Sequence, residues 1–341
     1  MNKVVLLVIA SSLSVSVSIA AANPVTISAS TEDGLYTRVI CPSLTKALHA
    51  KGIQAVCKTS SGSGQNFERV AKGEVTAGLM QKDALYGLAS QGDNPDANNY
   101  IALGSLTPEA IWMVALSGSK VTFNSFIKNY SENSAPKLPL VIGVAGDSLS
   151  GSYLTMTQAI VNNLPSLKKN IEAGYVKLIS LNNIPPNVAY YQLGNKLDAV
   201  MFVQMPDLKH ERIQDVLNSD GKYVFLDISS PQLTQLSFSN QPIYREVDIH
   251  LQKRSSNDRI TSAWNVLMGK KITTNGKQKS VHTLVTETTL LINPATVNSK
   301  IMSALSSVVN SKYLLPKNTV AGTASLWWQK LKKASEQLTS N

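Results

Sequence analysis

Several residue types and patterns are scarce in this chain, and each scarcity excludes something. Asp, Glu, Lys and Arg together make up only 16% of 341 residues, low but ordinary for an exported protein. There are four histidines, His49, His210, His250 and His282, and no two stand at a metal-ligand spacing. A zinc site is therefore not expected. Only two cysteines occur, Cys41 and Cys57, and their spacing fits no metal motif either. Beyond the first stretch, no apolar run is long enough to span a bilayer. The net charge is +10, but the densest basic runs are the pairs Lys168-Lys169, Lys270-Lys271 and Lys332-Lys333. No aromatic interleaving accompanies them, as a single-strand nucleic-acid platform would need. Nucleic acid is thus not an expected partner, and the charge reads as surface chemistry or weak attraction to anions.

What is present suggests an exported two-domain protein. The length fits two domains, and 43% hydrophobic residues supply a sizeable core. Residues 1–22 stand apart. Lys3 gives a short positive start, residues 4–9 are apolar, and Ser-rich uncharged sequence extends the run to Ile19. Ala20-Ala21-Ala22 then precedes Asn23-Pro24 as a small-residue cleavage site. This is the pattern of a secretory signal peptide. Five serines between positions 11 and 18 dilute the run against the alternative, a membrane anchor. The expected product is a soluble periplasmic protein. In that oxidising compartment Cys41 and Cys57 either form a disulfide or are two small buried apolar residues.

The chain is organised around residues 60–83, SSGSGQNFERVAKGEVTAGLMQKD. An apolar run at 53–57 reads as a strand. A tight polar loop follows at 60–64, then an amphipathic helix over 65–72 with Phe67, Val70 and Ala71 on one face. Gly73 sits where a helix C-cap belongs, and 75–80 reads as a buried strand. Residues 25–29 and 35–50 form an earlier strand and helix. Strands at 101–106 and 111–116 follow. Strand and helix alternate three times, which argues a parallel α/β layer. Residues 129–139 are polar, carry two prolines and read as a linker. A second α/β unit follows, with strands at 140–145, 176–181, 198–204 and 223–226. Pro185-Pro186 opens one of its helices, and another is expected over 207–217. Beyond it, strand-like runs at 243–252 and 281–292 and helices over 298–312 and 321–337 suggest a chain that crosses back to complete the first unit.

These motifs carry a family resemblance. Gly34-Leu35-Tyr36 after the first strand, the Ser-Gly-Ser-Gly-Gln-Asn loop, and Gly73-Glu74-Val75 leading to a Gln-x-Asp end resemble the first lobe of TAXI-type solute-binding proteins, the extracytoplasmic receptors of one class of TRAP transporters. Ser150-Gly151-Ser152 is similar to that family's helix start in the second lobe. The run 197–202 with Pro206, and the run 281–293, are similar to its strands near the hinge. The resemblance covers nearly the whole mature chain. It implies an α/β, two-lobed type II periplasmic-binding-protein fold, with lobe 1 over 23–130, lobe 2 over 131–230, and 231–341 crossing over to complete lobe 1. It also implies capture of a small solute in an interlobe cleft for a TRAP-type permease, by a monomer that needs no cofactor.

The residues support the same function in their own right. Loops after parallel strands lie on one sheet edge, where ligands bind, and here they carry small polar side chains suited to a polar solute. The candidate ligand-binding residues are Gly34, Tyr36, Ser60, Ser63, Asn66, Gln81 and Asp83 from the first lobe. The second lobe adds Ser148, Ser150, Gly151, Ser152 and Gln204. Helix N-termini favour an anion, so a carboxylate solute is expected, with Arg38 as a further candidate contact. Each residue also has a plainer reading: Ser63 and Ser150 as helix caps, Asn66 and Gln81 as solvated loop residues, Arg38 as a surface arginine. One alternative function is an envelope sensor or interaction protein reusing the binding fold. Another is a GDSL-type esterase, because Gly146-Asp147-Ser148-Leu149 spells such a start and His210 follows in an Asp-x-x-His. That reading needs a base and oxyanion donors at Ser148, and the motif stands about 120 residues into the mature chain, where the esterase pattern would open it.

Overall fold

The computed structural model of the chain describes residues 23–90, 99–182, 184, 186–238, 240–251, 278–311, 314–315, 323–326, 328–329 and 332–333, with only the backbone of 186 and 187. The expected signal segment, the Lys270-Lys271 pair, Pro185 and most of the helix expected over 321–337 lie outside the described residues. One mixed sheet of 11 strands runs through the molecule, eight of them along one hydrogen-bonded path and three paired beside it.

The first half of the sheet is parallel. It comprises β1 (Val25–Ser28), β2 (Ala55–Lys58) and β3 (Ala77–Gln81), with Ile27 paired to both Cys57 and Ala77. Between them run a helix over Tyr36–Ile40 and Cys41–His49 (α1) and a second over Ser63–Ala71 (α2). A third, Lys82–Ser90 (α3), follows β3 directly. The turn before α1 is wide: the Cys41 N–H reaches back five residues to Tyr36 O. Pro42 explains it, because proline has no N–H for the carbonyl of residue 38 and its ring crowds that carbonyl. A disulfide joins Cys41, buried at the start of α1, to Cys57 on β2.

β4 (Ile101–Leu103) is short, and β5 (Pro108–Leu116) is long and almost wholly buried. β5 begins three residues earlier than the apolar run suggests. Proline is tolerated as the first residue of a strand, so Glu109 enters the sheet. After a short helix at Phe123–Ile127 (α4), no strand or helix occupies residues 128–139. The second half is then built from β6 (Leu140–Ala145), β7 (Val176–Leu181) and β8 (Ala199–Gln204), with β6 parallel to both others. The helix after β6 opens at Gly151–Leu154 (α5) and continues through Thr155–Ile160. β9 (Tyr223–Phe225) pairs with β5. A small hairpin, β10 (Ser237–Phe238) and β11 (Gln241–Pro242), leads to β12 (Arg245–His250).

β13 (Ser280–Ile292) stitches the two halves together. It runs antiparallel to β12, then to β5, then to β3 and β4. β5 does the same from the other side, pairing with β13, β8 and β9. The helix at Ser299–Val309 returns to the first half, where Leu305 and Val308 pack with Leu44, Leu48, Leu79 and Leu290. The second half has a core on each face. Ile142, Met156, Ile160 and Met201 lie on one; Trp112, Tyr190, Phe202 and Trp328 lie on the other. Strands covered on both faces read as continuous apolar runs rather than alternating ones, which is how β3, β5 and β8 read. The architecture is therefore two-lobed α/β, with each lobe's parallel strands flanked by helices and two long strands crossing between them.

Candidate functional site

The two strand-to-helix junctions meet across the seam between the lobes. On one side the chain leaves β2 and enters α2 through Ser60–Ser63. On the other it leaves β6 and enters α5 at Ser150. The Gly64 N–H donates to Leu149 O at 2.9 Å across the seam. The approach is so close that a β-carbon on Gly151 would stand 1.8 Å from Gln81 Oε1 and 3.1 Å from Ser63 Oγ. On Gly64 it would stand 3.0 Å from the Leu149 Cα. Glycine at 64 and 151 is thus what lets the lobes touch.

Behind this contact lies a buried polar cluster. Glu109, 4% exposed, projects from β5 at the centre. Its Oε1 accepts from Tyr36 Oη at 2.6 Å and from Thr288 Oγ1, and its Oε2 accepts from Gln81 Nε2 at 2.6 Å. Thr107 and Thr288 share a hydroxyl contact at 2.8 Å. Burial pushes the Glu109 carboxyl above its usual range although all three donors favour the anion. Burial and the neighbouring Glu109 push the Tyr36 phenol well up. Asp83, at the start of α3, is fully buried. Its Oδ2 accepts from Thr155 Oγ1 at 2.8 Å and Tyr244 Oη at 2.9 Å, and its Oδ1 accepts from its neighbour Ala84 N at 2.8 Å. Burial raises it to about 6 against those three hydrogen bonds, and Glu109 adds to the rise. Thr155 belongs to the second lobe's first helix, so Asp83 ties the lobes together.

The sequence candidates divide into three groups. Ser63, Gln81, Ser150 and Gly151 come together at the seam, with Tyr36 and Asp83 in the cluster behind it. Ser63 Oγ accepts from Gln81 N at 3.3 Å, and Ser150 Oγ caps α5 by accepting from Tyr153 N at 3.2 Å. Others are struts. Asn66 is fully buried in α2 and donates to Ala29 O at 2.6 Å and to Leu79 O, so the solvated-loop reading of it does not hold. Ser60 Oγ donates to Ala29 O at 3.2 Å, and Ser152 Oγ accepts from Val203 N at 2.9 Å. Gly34 shapes the turn before the first helix, donating to Thr31 O at 2.9 Å. Gln204 ends β8 opposite Ala110, and its carbonyl accepts from Trp112 Nε1 at 3.2 Å. The third group faces solvent: Ser148 in its turn, and Arg38.

Two of the sequence readings can be set against the geometry at this point. Of the helix N-terminal N–H groups expected to favour an anion, that of Gly64 is taken by Leu149 O and that of Tyr153 by Ser150. The cluster behind them contains Asp83 and Glu109, neither with a lysine or arginine among its hydrogen-bond partners among the described residues. Both of its carboxyls are raised by burial. The esterase triad is also not assembled among the described residues. Ser148 has no histidine hydrogen-bonded to it, and His210 spends Nδ1 accepting from Arg212 N at 3.3 Å as a helix cap. No group of His, Cys, Asp and Glu among the described residues is placed to hold a metal.

Glu109, Thr155, Tyr244 and Thr288 escaped the sequence reading. Glu109 left one signal, an acidic residue at the head of an apolar run. Thr288 left another, the polar stretch Thr286-Glu287-Thr288-Thr289 inside a strand otherwise apolar.

No family model matches the chain, and no curated protein matches it in sequence. Solved structures similar to it include XAC2383 from Xanthomonas citri bound to ATP, at 8% identity and a TM-score of 0.47, covering 89% of this chain and 88% of that one. A periplasmic substrate-binding protein of an ABC transporter from Coxiella burnetii is 13% identical with a TM-score of 0.37, over 88% of this chain and 98% of that one. The substrate-binding protein of an amino acid ABC transporter is 9% identical with a TM-score of 0.41, over 91% and 98%. Likeness this distant carries no argument about ligand; the strand order described above carries the fold. No helix among the described residues is long and apolar enough to cross a membrane.

Proposed function

We propose that this chain is a periplasmic solute-binding protein that captures a small polar solute between its lobes, and that it serves a TRAP-type membrane transporter as a monomer. One observation carries the reading. Two strand-to-helix junctions, one from each lobe, meet face to face where two long strands cross between the lobes. Lobes joined by a few crossing strands close on ligands by hinge motion, and junctions at the carboxyl ends of parallel strands are where such sheets bind ligands. In this reading lobe 1 is residues 23–130 completed by 231–341, and lobe 2 is 131–230. The contact between Gly64 and Leu149 is the closed position, and the seam must part to admit a solute. The transporter partner follows from the family resemblance of the loop and hinge motifs, not from the seam.

The test is a thermal-shift screen of the mature protein against organic acids, amino acids, amines and sugars. Binding to the folded form alone raises Tm by mass action. A concentration-dependent rise for one chemical class supports the reading; no rise from any class sinks it.

A further inference from the structure

The seam holds a buried carbonyl oxygen without a donor and, beside it, a buried carboxylate without a counter-charge, and together these point to a ligand class. We propose that the interlobe site takes a solute bearing a protonated amine, received by the Glu109 carboxylate and the side-chain carbonyl of Gln81. This inference rests on the solute-binding reading and narrows it.

The side-chain donors that face the two buried carboxylates are already engaged. The Tyr36 hydroxyl, the Thr288 hydroxyl and the Gln81 amide NH2 all point at Glu109. The Thr155 and Tyr244 hydroxyls point at Asp83. The Gly64 N–H is spent on Leu149 O, and the Gln81 N–H on Ser63 Oγ. One acceptor is left over. Gln81 is 4% exposed, and its Oε1 is buried with no hydrogen-bond partner. That oxygen lies at the seam, beside Gly151 of the other lobe. The same amide holds Glu109 through its nitrogen, so carbonyl and carboxylate sit on either side of one side-chain amide. A buried acceptor left unpaired is costly, and a buried carboxylate held only by neutral donors lacks a counter-charge. The nearby cation Lys82 is turned elsewhere, to Pro242 O at 3.2 Å and Glu287 at 3.9 Å. A protonated amine entering as the lobes part supplies both missing things, positive charge and several N–H donors. A carboxylate without an amine supplies neither.

The test pairs each amine with a shape-matched solute that lacks it: L-alanine with L-lactate, L-glutamate with 2-hydroxyglutarate, putrescine with 1,4-butanediol. Binding of each to the mature wild-type protein is measured by calorimetry, together with the full set of L-amino acids. The expected result is that at least one amine binds tenfold or more tighter than its partner. Glu109→Gln, with its circular dichroism and melting checked for folding, is expected to remove that preference. Should Glu109→Gln fail to fold, the wild-type pairs decide alone. Binding of the hydroxy acids equal to or tighter than that of the amines overturns this inference while leaving the solute-binding reading intact. Binding by nothing in these sets, nor in the wider thermal-shift screen, overturns both.

Discussion

Two glutamates lie buried on neighbouring strands, and the protein keeps them in opposite ways. Glu109 on β5 is paired in register with Thr286, and Glu287 on β13 with Pro108. Glu287 is surrounded by cations and a strong donor. Lys332 Nζ lies 3.0 Å and Lys82 Nζ 3.9 Å from its oxygens, and Trp328 Nε1 donates at 2.6 Å. Burial pushes its carboxyl up, but the Lys332 and Lys82 ammoniums outweigh burial and hold it below the usual range. Glu109 has only neutral partners, and burial pushes it up. The contrast separates structure from function. A buried carboxylate with its counter-charges present is a strut that binds segments of the chain to the crossing strands. A buried carboxylate without them, at a seam between lobes, is the one proposed above to meet a ligand.

The largest expected effect breaks the strut. Glu287→Ala leaves Lys82 buried without its counter-charge, which is expected to cost about 3–5 kcal/mol in urea denaturation. Glu109→Gln, whose partners are all neutral, is expected to cost clearly less, and the comparison fails if the two substitutions cost the same. The sign with pH should also differ. Glu287 is held low in the fold, so its contribution is present above its usual value of 4.5 and is lost as pH falls through its depressed one.

Asp83 sharpens the comparison from the other direction. Its carboxyl titrates at about 6 in the fold against 3.8 ordinarily, so the folded state holds its proton more tightly. The stability this confers is full below pH 3.8 and is lost as pH rises through about 6. A shift of this size corresponds to on the order of 3 kcal/mol. Denaturation of wild type and Asp83→Asn at pH 4 and pH 7 reads it: wild type should lose stability relative to the variant as pH rises. A difference that does not change with pH would remove Asp83 from the account.

Asn66→Ala comes next. It strips the donor from Ala29 O and Leu79 O inside the first lobe, and the expected cost is roughly 1–3 kcal/mol. Loss of solute binding with no loss of stability would mean that Asn66 touches the ligand after all. The smallest effect belongs to Ser148→Ala, an exposed position expected to stay within about 0.5 kcal/mol of wild type. A fluorophosphonate probe that labels the wild type but not this variant would revive the esterase reading.

The fold was legible because its signals are local. The strand–helix alternation, the helix faces of Phe67 and Val70, and the apolar runs of β3, β6 and β8 depend on periodicity within a few residues. Half of the seam was legible for the same reason: Ser63, Gln81, Ser150 and Gly151 stand at strand-to-helix junctions, which parallel topology collects on one edge. The cluster behind them was not. Tyr36 and Glu109 are 73 residues apart, and Glu109 and Thr288 are 179. Nothing local pairs them; only the crossing of β5 and β13 does. The anion expectation was drawn from local signals of the same kind. It counted helix N-termini, which can be read locally, and missed Glu109, whose burial only the crossing strands decide. Asn66 misled because an asparagine in a Gly-Ser loop and one bonding two carbonyls inside a lobe look alike in sequence.

The central claim is that the seam between Gly64 and Leu149 parts to admit a solute without the lobes unfolding. Hydrogen exchange at the Gly64 amide, resolved by NMR, tests it most directly, because that amide is bonded across the seam. The account predicts exchange through an opening far cheaper than global unfolding, well ahead of the β3 amides, and marked slowing when a solute found in the thermal-shift screen is bound. Gly64 exchanging only as fast as the β3 amides, by global unfolding and with no response to any such solute, would contradict it.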